Sequence, residues 1–431
     1  MEKKLKSHGA WIGKWTFILA ATGSAVGLGN IWGFPYKAGT NGGGAFVLIY
    51  LLCIVMIGVP IMISEIIIGR RAGNSPINAM KRTALQSNTS SLWKLVGWSG
   101  ITAGVLILSF YSVIAGICLN YIFIAALPSD ALSSSAQFGA VIASPYNLLF
   151  WHTVFMLLTF LIVSAGVKNG IGRMVKILMP MLGFLLIFMV IYAMFNGAFI
   201  RTLEFLFAPD FSNVTAETFL SAMGQAFFSL SLGMGSIMAY GAYMPKDQRV
   251  VPTSFTVASL DTLVAMLAGL AIFPIIFAFN LEPNSGPGLV FVSMLSAFNQ
   301  MQFGQIIGAF FFILLSIAAL SSSISLLEPG VAYLSEEGFL FVIDDKTGNV
   351  LRITNLFKEI ENKKKQIKPT GFVVAKNKVY TTLNNGRLIK TDLASSNQEG
   401  FYKVSKSKIT RPNVFNDSMY MLKSNAIIKV E

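Results

Sequence analysis

Read as apolar and polar positions, the chain changes character near residue 336. Upstream, long apolar runs alternate with short polar loops; downstream, short apolar strings alternate with charged residues. A helix needs about 20 apolar residues to cross a bilayer. Eight runs fit that demand: roughly 13–37, 44–69, 95–127, 150–166, 171–196, 218–242, 252–280 and 304–334. The fourth is short, but Phe150–Ala165 is nearly all apolar, and Gly166–Gly172 reads as a tight turn. The pattern predicts an all-α polytopic membrane domain over residues 1–336 and a small all-β part over 337–431. The first run follows Lys3, Lys4, Lys6 and Lys14, is long and lacks a small-residue cleavage pattern, so no cleavable signal peptide is expected.

Composition agrees with the pattern and then divides along it. Hydrophobic residues make up 54% of the chain and charged residues 12%, against about 25% charged in an average globular protein. Mean hydropathy is +0.64. Residues 1–335 hold 16 Lys/Arg and 10 Asp/Glu; the 96 residues after them hold 17 and 10. The average therefore joins a membrane part to a part with the charge density of a soluble protein. Two Cys and two His exclude a disulfide scaffold and argue against a thiolate or imidazole metal cluster.

Charge placement gives an orientation. The loop 70–94 carries Arg70, Arg71, Lys81, Arg82 and Lys94 with no acid; Lys168, Arg173 and Lys176 flank the next such turn, and Lys246 and Arg249 the one after. The loops 128–149 and 281–303 contain Asp130 and Glu282 and no base. The positive-inside rule then puts the basic loops in the cytoplasm. Eight spans return the chain there, so both termini are expected to be cytoplasmic in a multi-pass inner (plasma) membrane protein. The net charge of +13 is largely membrane-flanking, and no nucleic-acid partner is expected.

Two spans contain backbone poorly suited to continuous helix. Gly23–Asn30 has three glycines in eight positions, and Gly224–Gly235 puts Ser and Gly at mid-membrane. Each interior Gly costs a helix about 1 kcal/mol relative to Ala. Unwound backbone survives at that depth only inside protein or around a polar cavity; glycine for close helix packing is the alternative. Two such spans, five helices apart, point to an inverted repeat with broken first helices.

The strings Gly23–Tyr36 (GSAVGLGNIWGFPY), Asn41–Phe46 (NGGGAF), Gly58–Arg70 (GVPIMISEIIIGR), Gly224–Gly233 (GQAFFSLSLG) and Ser321–Pro329 (SSSISLLEP) resemble the neurotransmitter:sodium symporter family, its prokaryotic amino-acid branch most of all. The resemblance covers about residues 8–336. It implies an inverted-repeat symporter fold, here with eight spans, and sodium-coupled symport of a neutral amino acid by alternating access. It places one sodium at the carbonyl of Ala25, the side chain of Asn30, Ser229 and Asp261. It places a second at the carbonyls of Gly23, Val26 and Ala318 and the hydroxyls of Ser321 and Ser322. All are oxygen donors, as a hard cation requires; small-residue packing is the alternative for Ser321–Ser323.

The same resemblance implies a substrate site. Free N–H groups near Gly27, Leu28 and Gly29, at a half-helix amino terminus, would meet the carboxylate. Tyr111 matches the position whose hydroxyl reaches that carboxylate. The amine would meet carbonyls around Phe228–Ser231, including Ser229 and Ser231, close to Ala25 and Ser322. Ile107, Phe228, Met234 and Leu326 would line an apolar side-chain pocket; apolar residues there are equally explained as core. Asp261, a carboxylate within a span, stands where chloride-requiring relatives have a neutral residue, so no chloride requirement is expected. Glu65 matches a position that bonds the unwound sixth span, a structural role set against proton transfer.

Three departures stand out. Gly33 replaces an outer-gate Arg. His8, with Lys6 nearby, replaces an inner-gate Arg, with Tyr243, Glu328 and Glu336 as candidate partners. The family has twelve spans, ten of them a five-plus-five core, whereas family-like sequence here ends after about Glu337.

Beyond that point Gly338–Asp344 and Lys346–Asn349 read as strand, turn, strand. A related string returns at Gly386–Asp392, and a weaker one at Asn425–Glu431. This phrasing resembles the PQQ-type β-propeller repeats of outer-membrane assembly lipoproteins, with at most two blades. Lys363–Lys365 reads as a solvated loop, with lipid contact the alternative. Such propellers are periplasmic, whereas the charge rule puts this part in the cytoplasm. The junction is therefore read as a fusion of two gene fragments, natural or introduced during sequence assembly. The expected partners are sodium ions, a neutral apolar amino acid and the lipid bilayer. Transport is expected to be impaired or absent in this eight-span chain. A substrate sensor or a membrane-anchored β interaction module is the alternative, and no nucleophile–base pair suggests an enzyme.

Overall fold

Proline and glycine set the limits of most helices. The computed structural model describes residues 13–127, 133–212, 214–245, 247–281, 286, 288–337, 339–343, 350–355, 369–375, 378–384, 386–392, 398–405, 409, 412–415, 418–423 and 426–430. Lys3, Lys4, Lys6, His8, Asp130, Lys246, Glu282 and Lys363–Lys365 lie outside them. The chain divides into two compact units, Met1–Tyr333 and Leu334–Glu431.

In the first unit six helices are long and apolar enough to cross a membrane: Gly44–Ala72, Ser91–Ala126, Pro145–Ser164, Val167–Asn196, Val250–Ala278 and Gly304–Glu336. A seventh span is the bent pair Trp15–Ala25 and Gly29–Thr40, whose halves meet at 51°. The run expected at 218–242 forms two shorter helices, Ala216–Ser229 and Ser236–Ala242, separated by turns at 230–235. These eight are numbered as spans one to eight below. Large apolar side chains such as Phe195, Met56 and Phe184 are 83%, 71% and 71% exposed. A bilayer accommodates such a surface at no cost, whereas water penalises it.

Local chemistry explains most boundaries. Span two contains a wider π turn at Ile54–Gly58 just before Pro60, where the ring lacks an N–H and collides with the carbonyl four residues back. The same span ends at Gly73, whose φ of 65° lets its N–H reach the Gly69 carbonyl at 2.8 Å. Span six opens with a capping box, in which Thr215 and Thr218 each accept the other's backbone N–H. The turn expected at Gly166–Gly172 is much shorter than its sequence suggests. Gly166 alone, at φ 78°, reverses the chain, and span five starts as a π turn at Val167–Ile171.

The first unit repeats its own plan. A broken span, a long span, a short connecting helix and another long span occur twice. The first set is span one, span two, Pro76–Gln86 and span three; the second is span six, span seven, Leu289–Gln300 and span eight. Spans four and five follow the first set. After the second, the helix Gly304–Glu337 is followed by a strand at Phe339.

The second unit is all β. Its strands are β1 (Phe339–Ile343), β2 (Val350–Asn355), β3 (Pro369–Ala375), β4 (Lys378–Leu383), β5 (Arg387–Asp392), β6 (Gln398–Lys403), β7 (Asn413–Phe415), β8 (Ser418–Lys423) and β9 (Ala426–Val430). They form antiparallel sheets of two, four and three strands in sequential order, and these sheets do not close into a ring. The three related strings noted in the sequence fall on β1, β5 and β9. Leu388 from β5 packs with Ile409, Met419 and Met421, which joins the second and third sheets. Lys378 and Lys390 both reach the Glu399 carboxylate, at 2.5 and 3.2 Å. Their ammonium groups hold that carboxyl below the usual carboxylate range.

Candidate functional site

The two helix breaks face each other, and their freed backbone is the scaffold of the site. Span one loses helical geometry at Val26, which is extended (φ −69°, ψ 115°). Span six loses it after Ser229; Ser231 has φ 53°, and Gly233 and Gly235 have φ 77°. A positive φ is cheap for glycine and strained for serine. The Ser231 hydroxyl offsets that strain by donating to the Ser24 carbonyl at 2.8 Å, so it ties one break to the other. Gln225 adds a second tie, donating to the Gly29 carbonyl at 2.7 Å. Glu65 of span two accepts the Gly233 N–H at 2.8 Å, the structural contact its motif implied.

A small cavity lies between the breaks. Its lining comprises Ser24, Ala25, Gly27, Leu28, Gly29, Ile107, Tyr111, Phe228, Ser231, Met234, Ser322 and Leu326. Eleven of the twelve residues expected around a substrate are therefore brought together. The twelfth, Ser229, points instead at Asp261. The Leu28 N–H donates to the Tyr111 hydroxyl at 3.4 Å, so one donor and one phenol mark the polar end. Ile107, Phe228, Met234 and Leu326 form the apolar end. The glycines are required by crowding: a Cβ on Gly27 would lie 2.3 Å from the Ser322 hydroxyl, and one on Gly29 would lie 2.7 Å from the Phe228 ring. The cavity volume is about 20 Å³, room for about one water.

Beside the cavity, two oxygen clusters gather residues that the resemblance assigned to sodium. In the first, Asp261 is fully buried. Its carboxylate accepts from the Ser229 hydroxyl and, at 2.7 Å, from the Asn30 amide. Tyr50 reaches Ser229 at 3.2 Å. These partners are neutral, and a buried carboxylate without counter-charge is costly. Asn30 turns its carbonyl oxygen to the Gly27 N–H at 3.1 Å. As a cation ligand beside Asp261, its amide would turn by half a revolution, an orientation that hydrogen bonding alone assigns.

The second cluster joins span eight to the first break. Ser321 donates to the carbonyls of Ala318 and Val26, at 3.0 and 3.3 Å. Ser322 donates to Val26 at 3.0 Å and lies 3.5 Å from the Ser24 carbonyl. A Cβ built on Gly23 would be 3.6 Å from that of Ser321, which puts Gly23 in the same group. Hydroxyls that donate to carbonyls keep their own lone pairs for a cation. The donor set therefore suits a hard, weakly polarising ion.

The structure adds residues that the sequence reading did not single out. Ser24 lines the cavity, Tyr50 supports Ser229, and Gln225 locks the two breaks. Ser24 lies inside the first glycine-rich string and Gln225 inside the second, so both were within reach. Tyr243 donates to Glu328 at 2.9 Å; their expected partner His8 lies outside the described residues. Gly33 has ordinary space around its Cβ position, 3.5 Å from Gln225, so crowding does not explain the missing Arg.

Comparisons with known proteins agree with this geometry. The model of the sodium:neurotransmitter symporter family matches residues 8–133 and 132–356, which runs past the helix end at Glu337 into the first two strands. An uncharacterised sodium-dependent transporter of Bacillus subtilis is 43% identical over 75% of this chain and 71% of its own. Another, from Haemophilus influenzae, is 35% identical over 77% of this chain and 75% of its own. The crystal structure of MhsT in complex with L-phenylalanine has a TM-score of 0.71 at 48% identity, and covers 76% of this chain and 74% of that one. These relatives are transporters, not enzymes. Motif order, paired helix breaks and matches over most of the membrane unit converge, and the chain belongs to the sodium:neurotransmitter symporter family.

Proposed function

We propose that this chain carries a complete binding site for sodium-coupled symport of a neutral, apolar amino acid. The observation that carries the reading is the meeting of two oxygen clusters and one cavity at two facing helix breaks. Asp261, Asn30 and Ser229 with the Ala25 carbonyl hold one sodium. Ser321 and Ser322 with the carbonyls of Gly23, Val26 and Ala318 hold the second. Sodium supplies the positive charge that the buried Asp261 lacks and orders the freed carbonyls. The N–H groups near Leu28 and the Tyr111 hydroxyl take the substrate carboxylate, and carbonyls near Phe228–Ser231 take its amine. The apolar lining leaves no charged partner for a side chain. MhsT was crystallised with L-phenylalanine, and four of the lining residues are apolar and large enough to surround such a ring.

Alternating access follows from the breaks. The half-helices of spans one and six are short rigid pieces tied by Ser231 and Gln225. Closing over substrate would move them together against spans three and eight. No ninth span intervenes between Glu337 and β1, so the reading assigns binding to this chain and impaired translocation. The test is thermal stabilisation by sodium across a panel of amino acids. A ligand that binds only the native state raises its stability in proportion to ln(1 + [L]/Kd). Stabilisation by L-phenylalanine that requires sodium, and that survives replacement of chloride by gluconate, is the expected result. Stabilisation that disappears in gluconate would remove the chloride-independent part of the reading. Charge placement further supports cytoplasmic termini.

The β unit reads as a repeat fragment. One whole four-stranded meander, β3–β6, lies between a two-stranded and a three-stranded sheet. The repeated string is the first of two strands in one sheet (β1), the third of four in the next (β5) and the third of three in the last (β9); aligned on it, the outer sheets match the last two and the first three strands of a four-stranded blade.

A further inference from the structure

Five bases and no acid lie between Arg70 and Lys94, and the structure divides them by task. Arg70 donates to the Gln248 carbonyl at 2.7 Å. Arg82 donates to the Ala72 carbonyl at 3.2 Å and to the Asn74 amide oxygen at 3.4 Å, which pins the helix Pro76–Gln86 to the end of span two. Arg71, Lys81 and Lys94 form no ion pair with any described residue. Arg71 and Lys81 are exposed, and Lys94 is half-buried. Three positive charges are therefore left without a counter-charge among the described residues.

Two of these charges stand close to one helix crossing. The helix Pro76–Gln86 packs against the start of span three, so tightly that a Cβ on Gly97 would lie 2.6 Å from the Ile77 Cα. Lys81 is four residues beyond Ile77, and Lys94 is three before Gly97. Each therefore stands about 4–6 Å along its helix from the crossing. The same place is apolar. Leu85, one turn after Lys81 on the same face, is exposed, and so is Leu95. Leu92 and Trp93, in the turn that leads into Lys94, are 64% and 53% exposed. Ser90 caps that turn, accepting the Leu92 N–H at 3.2 Å. Water penalises such a surface. A membrane interface favours it, with leucine in hydrocarbon, tryptophan at headgroup level and lysine stems reaching back to the phosphates. The basic turn around Lys168 and Lys176 has the charge without the apolar half, since no large apolar side chain is exposed between residues 162 and 176.

We propose that Lys81 and Lys94 hold the phosphate of an anionic phospholipid whose acyl chains lie along Leu85, Leu92, Trp93 and Leu95. Both ammonium groups donate to the phosphate oxygens, and Arg71 adds positive charge from the last turn of span two. The chemistry selects this partner on two counts. A soluble anion would leave the leucines and the tryptophan uncovered. A zwitterionic lipid carries its own ammonium beside the phosphate and leaves the lysines uncompensated. The site stands apart from the helix breaks, so the inference is independent of the substrate and of transport.

The test counts lipids retained by the purified full chain in detergent, by native mass spectrometry, after exposure to equal amounts of phosphatidylglycerol and phosphatidylcholine. The expected result is a preference for phosphatidylglycerol of about fivefold or more. K81Q, at an exposed position where the fold does not depend on the side chain, should remove at least half of that preference. K81Q/K94Q should abolish it. K168Q/K176Q, which removes the same charge from another basic turn, should leave it unchanged. W93A, with every charge in place, should lower the retained phosphatidylglycerol about twofold or more. Inorganic phosphate should not displace the lipid. Unchanged helical content by circular dichroism shows that each variant is folded. Equal retention of the two lipids by the unmodified chain overturns the proposal, and so does a preference that survives K81Q/K94Q. An equal loss in K168Q/K176Q would assign the preference to net charge and also overturn it. Displacement by inorganic phosphate, or indifference to W93A, would make the site one for a soluble anion and overturn the lipid as its partner.

Discussion

At the scale of single residues, the site depends on atoms that are absent as much as on those present. A Cβ on Gly27 would lie 2.3 Å from the Ser322 hydroxyl, closer than van der Waals contact allows, and both atoms sit on backbone that other ties fix. G27A is therefore expected to abolish sodium-dependent stabilisation by L-phenylalanine while leaving the helical content by circular dichroism unchanged. S322A should act more mildly. It removes one oxygen ligand and the hydroxyl bond to Val26, a loss of about 1–1.5 kcal/mol, or roughly tenfold in the sodium concentration giving half the stabilisation. An unchanged sodium midpoint in S322A would remove that hydroxyl from the ion's shell. The resemblance named Asn30, Asp261 and the Ser321–Ser322 pair, and the structure brings these oxygen donors together; glycine density alone marked the two breaks. What escaped was Tyr50, since an aromatic residue in an apolar span gives no sign that its hydroxyl will meet Ser229. The direction of the Asn30 amide escaped too, because hydrogen-bond partners set it and composition does not.

At the scale of elements, the breaks hold their shape through side chains reaching in from unbroken spans. Glu65 is the clearest case, since its carboxylate meets the Gly233 N–H at a position where the chain has φ 77°. E65A would leave that buried donor unpaired, at about 1–3 kcal/mol, and should lower the melting temperature. E65Q keeps a carbonyl oxygen for the same N–H and should recover most of the loss. Equal losses in the two variants would assign the role to charge instead of acceptance. In the β unit, L388A removes a side chain that joins two sheets, at about 2–4 kcal/mol. It should raise amide hydrogen exchange across residues 378–403 in the full chain and leave the spans protected. Helix existence was legible from run length, and the two breaks from glycine density. Boundaries were less so. The turn expected at Gly166–Gly172 shrank to one glycine because a single positive φ suffices, and the π turn before Pro60 carries no periodic signal.

At the scale of the whole molecule, the repeat separates two properties that a full carrier combines. Every proposed sodium ligand lies on spans one, six, seven or eight, and every proposed substrate contact on spans one, three, six or eight; all of these are present. Spans four and five follow the first set, and among the described residues strands follow the second. Ion and substrate binding are local, and need only the facing breaks, whereas rocking of the broken spans needs a surface on both sides. Binding should therefore survive where transport does not. In proteoliposomes, the chain alone is expected to bind labelled L-phenylalanine in a sodium-dependent manner and to accumulate none above the bound amount under an inward sodium gradient. Accumulation beyond one molecule per chain that collapses with the gradient would show that eight spans suffice for transport. Absence of both binding and accumulation would place the defect in the site itself.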